Sequence, residues 1–114
     1  MLSLVEEHLA AFNGHDRERL LAGLHPDAVW RTGRDTVRGR AALAELFDDG
    51  LWALRPALAV RSLVTDGGRA AAELTETLTV DGESRTFPIA AFFTARAGLL
   101  TGVTVYREGT ADLA

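Results

Sequence analysis

Phe12-Asn13-Gly14-His15-Asp16, then Leu24-His25-Pro26-Asp27-Ala28-Val29-Trp30, then Arg38-Gly39-Arg40-Ala41-Ala42-Leu43: these three pieces, in this order, decide how the chain folds. Upstream of them Leu2, Val5, Leu9 and Phe12 recur at helical spacing, which predicts an amphipathic helix over residues 2–12 with Glu6 and Glu7 outward. Asn13-Gly14 stops that helix, because both residues tolerate left-handed backbone. Asp16 is a good N-cap for a short second helix over residues 17–21. Pro26 keeps it from running past Leu24. Residues 28–32 alternate around Val29 and Trp30 and read as a strand. Gly33-Arg34-Asp35 turns it back into a short strand ending at Arg38. Gly39 then opens a third helix, residues 40–48, whose Ala42, Leu43, Leu46 and Phe47 form the buried stripe.

Gly50 and Pro56 bracket a connection that contains Leu51, Trp52 and Leu54. Beyond it everything reads as strands: residues 58–64, 69–80, 85–95 and 99–107, with turns at Asp66-Gly67-Gly68, Asp81-Gly82 and Ala97-Gly98. The tail from Glu108 to Ala114 is expected to fray or dock lightly. Helices first and hairpin-linked strands afterwards predict one α+β domain over residues 1–114, with helices on one face of an antiparallel sheet. Phe92 and Phe93 are adjacent and must point to opposite faces, so both faces need cover. Three modest helices cover one. A second copy of the chain is the simplest cover for the other, so a homodimer through the outer sheet face is expected.

Composition narrows the function classes. A chain of 114 residues fits one domain and can bury roughly two thirds of its unfolded surface. Its 47% apolar residues argue against disorder. With no cysteine, disulfides, thiolate metal sites and thiol nucleophiles are unavailable. All the basic residues are arginines scattered between Arg17 and Arg107, and the net charge is −4, so no basic stripe exists for nucleic acid. No apolar run could span a bilayer and no signal peptide opens the chain, so a cytoplasmic protein is expected. His8, His15 and His25 lie dispersed and without a paired acidic motif; no metal site and no cofactor are expected.

The pieces Ala11-Phe12-Asn13-Gly14-His15-Asp16, Pro26-Asp27-Ala28-Val29-Trp30, Gly39-Arg40-Ala41-Ala42-Leu43 and Val105-Tyr106-Arg107 together resemble the nuclear transport factor 2-like superfamily, and within it the SnoaL-like proteins. The resemblance spans essentially the whole chain. It implies a cone: a curved, mixed but mostly antiparallel sheet wrapped around the N-terminal helices, with an internal pocket and often a dimer. That superfamily hosts several chemistries, so function must come from the pocket. Ketosteroid isomerases place a tyrosine, a basic aspartate and an oxyanion-binding aspartic acid at positions that fall here on His8, Thr32 and Ala90. Alanine donates nothing and threonine is no base near neutral pH, so that mechanism is excluded. Limonene-type epoxide hydrolases use an Asp-Arg-Asp set whose positions fall near Thr77, Thr79 and Val105. A slip of one or two residues would bring in Glu76, but not the arginine. SnoaL-type cyclases need an acidic residue in the pocket, and no aspartate stands at the expected positions of the late strands.

Several residues remain candidates. His8 lies on an otherwise apolar helix face; it is either a proton donor and acceptor in the pocket or a buried histidine satisfied by backbone. Glu73, Thr75, Thr77 and Thr79 share one face of their strand and Leu74, Glu76, Leu78 and Val80 the other. The resemblance places Thr77 and Thr79 toward the cavity, which would make Glu73 the carboxylate available to it; the other reading is a solvated strand face. Trp30 is a pocket wall or plain core. Arg107 meets a ligand at the cone mouth or pairs with Glu76 or Glu108. The site expected is therefore His8 and Glu73 for proton transfer, with Trp30, Thr32, Thr77, Thr79, Ala90, Phe92, Val105 and Arg107 lining the pocket. The function expected is binding of a small apolar organic molecule, with isomerase- or cyclase-type turnover left open. The rival is a non-catalytic dimerisation or partner-binding module whose pocket is packed by Trp30, Phe92 and Leu54.

Overall fold

A computed structural model describes residues 1–33 and 35–107; Arg34 of the first hairpin turn and the predicted tail, residues 108–114, lie outside the described residues. The elements run α1 (Leu2–Asn13), α2 (Arg17–Ala22), β1 (Leu24–Thr32), β2 (Asp35–Arg38), α3 (Arg40–Leu46), α4 (Asp49–Ala53), β3 (Ala57–Asp66), β4 (Arg69–Val80), β5 (Glu83–Arg96) and β6 (Leu99–Arg107). The six strands make one mixed sheet in the order β2-β1-β6-β5-β4-β3. All neighbours are antiparallel except β1 and β6, which run parallel. The first and last long strands thus meet in the middle of the sheet. The architecture is the predicted α+β arrangement of N-terminal helices on a mixed sheet.

Local chemistry accounts for the element ends. α1 buries Val5, His8, Leu9, Ala11 and Phe12 along one stripe, while Leu2, assigned to that stripe by spacing, is half exposed. The left-handed residue after α1 is not Asn13 or Gly14 but His15, with φ 52. Gly14 stays right-handed at φ −81, and a Cβ there would sit 3.2 Å from the Ala10 carbonyl oxygen. Asn13 instead ties α1 to β3. Its Nδ2 donates to the Leu58 carbonyl at 2.9 Å, and the Leu58 N–H donates to its Oδ1 at 2.7 Å. Asp16 caps α2, its Oδ1 accepting from the Arg19 N–H at 3.1 Å. Gly39 opens α3 at φ 90, a conformation that L side chains rarely adopt.

The third helix is shorter than its sequence suggests. It ends at Leu46, and Asp48 starts α4 by accepting the Leu51 N–H at 3.1 Å. The stretch read as a plain connection is therefore a one-turn helix that puts Leu51 and Trp52 against the core. Trp52 stacks on His15 at 5.1 Å and on Phe47 at 6.2 Å. Two of the later hairpins turn on paired positive-φ residues, Asp81-Gly82 and Ala97-Gly98, whose twist matches that of the flanking strands.

Burial alternates cleanly along the late strands. On β4 the even residues Ala70, Ala72, Leu74, Glu76 and Leu78 are buried, and on β5 Ile89, Ala91 and Phe93. Of these, Ala70, Ala72, Leu74, Ile89, Ala91 and Phe93 join the buried side chains of α1, α3 and β1 in one core between helices and sheet. The other sheet face carries Phe92 at 49% and Tyr106 at 61% exposure, with no helix over it among the described residues. Among the described residues no helix is long and apolar enough to cross a membrane.

Candidate functional site

Between the helices and the inner sheet face lies a cavity of about 120 Å³. Its walls are mostly apolar: Leu9 and Phe12 from α1, Phe47 and Leu51 from the α3–α4 region, Leu74, Ile89 and Val103 from the sheet. Four polar side chains interrupt them, His8, Thr32, Glu76 and Arg107. A buried polar group on an apolar face is the informative exception in such a lining.

His8 comes from the middle of α1 and is 6% exposed. Its ring packs against Trp30 at 5.6 Å and edge-on to Phe93 at 5.7 Å. It hydrogen-bonds no described group, and no fully buried polar side-chain atom among the described residues lacks a partner. The ring nitrogens are therefore open to the cavity space rather than tied to backbone. Burial lowers the imidazole from 6.5 to about 4, because the apolar surroundings disfavour the charged form. At neutral pH the ring is neutral and offers one donor and one acceptor.

The other three polar groups form a row across the sheet. Arg107, at the end of β6, reaches over β5 to Glu76 on β4. Its Nε donates to Oε1 at 3.0 Å and its Nη2 to Oε2 at 3.1 Å, a two-bonded fork. Its Nη1 donates to Thr32 Oγ1, at the end of β1, at 2.5 Å. Glu76 is buried, whereas about a fifth of the Arg107 side chain is exposed. Thr32 and Arg107 also border a surface pocket with Arg31, Gly33 and Tyr106, so this end of the polar row lies between the cavity and that pocket. Thr32 follows Trp30 by two residues on the same strand face, which sets the row about 7 Å further along β1 than the His8 layer.

Of the residues expected to form the site, the structure gathers His8, Trp30, Thr32, Val105 and Arg107 around this cavity. Trp30 is both wall and core, since it is 8% exposed and edge-packed on Phe47 at 5.2 Å. Glu73, Thr77, Thr79, Ala90 and Phe92 lie on the outer face instead. Glu73 accepts a hydrogen bond from Ser62 Oγ at 2.6 Å. The hydroxyls of Thr77 and Thr86 are 3.3 Å apart, and those of Thr79 and Ser84 3.2 Å. Phe92 packs edge-on to Tyr106 at 5.8 Å, outside the cavity that it was expected to help fill. The physical reason is parity. Turning Glu73 and the threonines inward would have exposed Ala70, Ala72, Leu74 and Leu78 together. The carboxylate in the cavity is Glu76, the residue that a register slip would bring in. The arginine beside it arrives from β6 rather than from its own strand. A charged residue between Leu74 and Leu78 on the apolar parity was the signal. Among the described residues no three His, Cys, Asp or Glu side chains are grouped to hold a metal ion.

Comparison with known proteins bears on the family and the fold. The sequence profile of the SnoaL-like domain matches residues 5–103. No curated protein sequence matches significantly. Among solved structures, a candidate polyketide cyclase from Xanthomonas campestris pv. campestris is 26% identical, with a TM-score of 0.85 over 94% of this chain and 89% of that one. A candidate polyketide cyclase from Pseudomonas putida KT2440 is 28% identical, with a TM-score of 0.76 over 92% and 89%. An LEH-like epoxide hydrolase of M. tuberculosis shares the fold at 23% identity, with a TM-score of 0.81 over 93% and 80%.

Proposed function

The chain belongs to the SnoaL-like domain family of the nuclear transport factor 2-like superfamily, and from that premise we propose that it binds a small, mostly apolar organic molecule in the cavity beside His8. The observation that carries this reading is a buried histidine whose ring nitrogens face an apolar cavity instead of a protein partner. In the catalytic form of the proposal, neutral His8 takes a proton from the ligand and returns it at another atom. Thr32 and Arg107 then steady the oxygen on which charge develops. That division of labour replaces the expected pair of His8 and Glu73, since Glu73 lies on the outer face.

One observation favours binding without turnover: both Glu76 oxygens are engaged by Arg107, so among the described residues the cavity holds no unpaired carboxylate. The two forms separate experimentally. Native mass spectrometry of the purified protein, with ligand-observed NMR, is expected to reveal a bound small molecule. Ala91→Leu, which grows into the cavity, should abolish it. His8→Ala should weaken binding in either form and stop turnover in the catalytic one. Binding indifferent to both substitutions would remove the assignment of this cavity. The outer sheet face supports a further part of the proposal, a homodimer in which a second copy covers Phe92 and Tyr106.

A further inference from the structure

The polar end of the cavity carries a positive and a negative charge that cancel. Three of the five Arg107 N–H groups are spent inside the protein, two on Glu76 and one on Thr32. Thr32, having accepted that bond, keeps its own hydroxyl proton to donate. We infer that Glu76 determines specificity here: by cancelling Arg107 it makes the site select neutral, oxygen-bearing ligands of about one ring over carboxylates and ammonium ions. This rests on the cavity beside His8 being the binding site.

Three observations support it. An entering carboxylate would compete with Glu76 for the same guanidinium fork and set two like charges side by side, away from bulk water. An ammonium ion would face the remaining N–H groups of Arg107. A carbonyl, ether or hydroxyl oxygen escapes both penalties, accepting from Arg107 or Thr32 without adding charge. His8 brings no charge either, its ring being neutral at pH 7. Size sets the other limit. A cavity of about 120 Å³ is slightly smaller than the ~150 Å³ that accommodates a benzene ring in a protein core. One ring therefore nearly fills it, and a fused second ring exceeds it.

The test is a titration of the whole protein at pH 7, read by ligand-observed NMR and by the intrinsic fluorescence of Trp30 and Trp52. The probes are benzyl alcohol, benzoate, benzylamine and 2-naphthalenemethanol. Benzyl alcohol should bind at least tenfold more tightly than each of the other three. Glu76→Gln, which keeps a hydrogen-bond acceptor beside Arg107 but removes the negative charge, should strengthen benzoate binding at least tenfold. Wild-type benzoate binding equal to that of the alcohol would overturn the inference. So would tighter naphthyl binding, or no gain of benzoate in a Glu76→Gln protein with native near-ultraviolet circular dichroism. If that variant does not fold, the wild-type ranking of the probes decides alone. Failure of every probe to bind would instead sink the proposal that the cavity is a binding site, and this inference with it.

Discussion

His8 is held at 6% exposure between Trp30 and Phe93, and that burial lowers its imidazole from 6.5 to about 4. The consequence for stability has a definite sign. Above pH 6.5 the ring is neutral in the folded and the unfolded chain, and contributes no pH dependence. As pH falls from 6.5 toward 4, the unfolded chain takes up a proton that the folded chain refuses, so stability falls. The slope approaches about 1.4 kcal/mol per pH unit, on the order of 3 kcal/mol across the window. Below about pH 4 both states carry the proton and the slope ends. Urea unfolding of wild type and His8→Leu at pH 7, 6, 5 and 4.5 isolates this contribution from that of the carboxylates. The difference between the two curves should grow in the variant's favour on acidification. A constant difference would mean that the ring is not held neutral by burial.

At the scale of elements, one side chain makes the hydrogen bonds that tie α1 to β3. Asn13 supplies both bonds to Leu58, one as donor and one as acceptor, and β3 is the outermost strand of the sheet on that side. Asn13→Ala should lower the unfolding free energy by about 1 kcal/mol, the net worth of hydrogen bonds that water can partly replace. Hydrogen exchange should localise the loosening to β3. Exchange unchanged at β3 would show that its pairing with β4 suffices. The sequence announced Asn13 as a helix stop, yet its partner 45 residues away is a tertiary fact that no local pattern contains. The same limit explains the other differences. Helix stripes, caps and hairpin turns are local, so the order of elements was legible from α1 to β6. The break between α3 and α4 was less so, because Ala42 to Trp52 keeps a helical rhythm and only Asp48 marks a new start. On β4 the alternation was legible but its sense was not. Which parity faces inward depends on the apolar side chains that must be covered together, and Ala70, Ala72, Leu74 and Leu78 outweigh a likeness in register. His8, Trp30, Thr32, Val105 and Arg107 follow from position in the fold. The Glu76–Arg107 fork joins strands separated by β5, and the sequence could name it only as one option for Arg107.

At the scale of the whole molecule, the uncovered sheet face sets the last expectation. Strand register lines up Arg31, Thr104, Phe92, Ala71 and Val64 in one row from β1 to β3. The next row holds Tyr106, Ala90, Glu73 and Ser62. Phe92 and Tyr106 are thus exposed in the middle and Val64 at the β3 edge, with Arg31 to one side of the Phe92–Tyr106 pair on β1 and Glu73 to the other on β4. A two-fold axis through the middle would lay the apolar patches on each other and bring Arg31 of each copy toward Glu73 of its partner. That self-complementary arrangement is what an isologous contact requires. Sedimentation equilibrium at micromolar concentration should therefore give twice the chain mass. Phe92→Asp would place two desolvated carboxylates near the axis and should shift the protein to monomer, weakening association at least a hundredfold. Because Phe92 lies outside the cavity, ligand binding per chain should survive in that monomer. A wild-type protein that sediments as a monomer would remove the second copy as the cover of this face. A Phe92→Asp dimer would move the contact elsewhere on the surface.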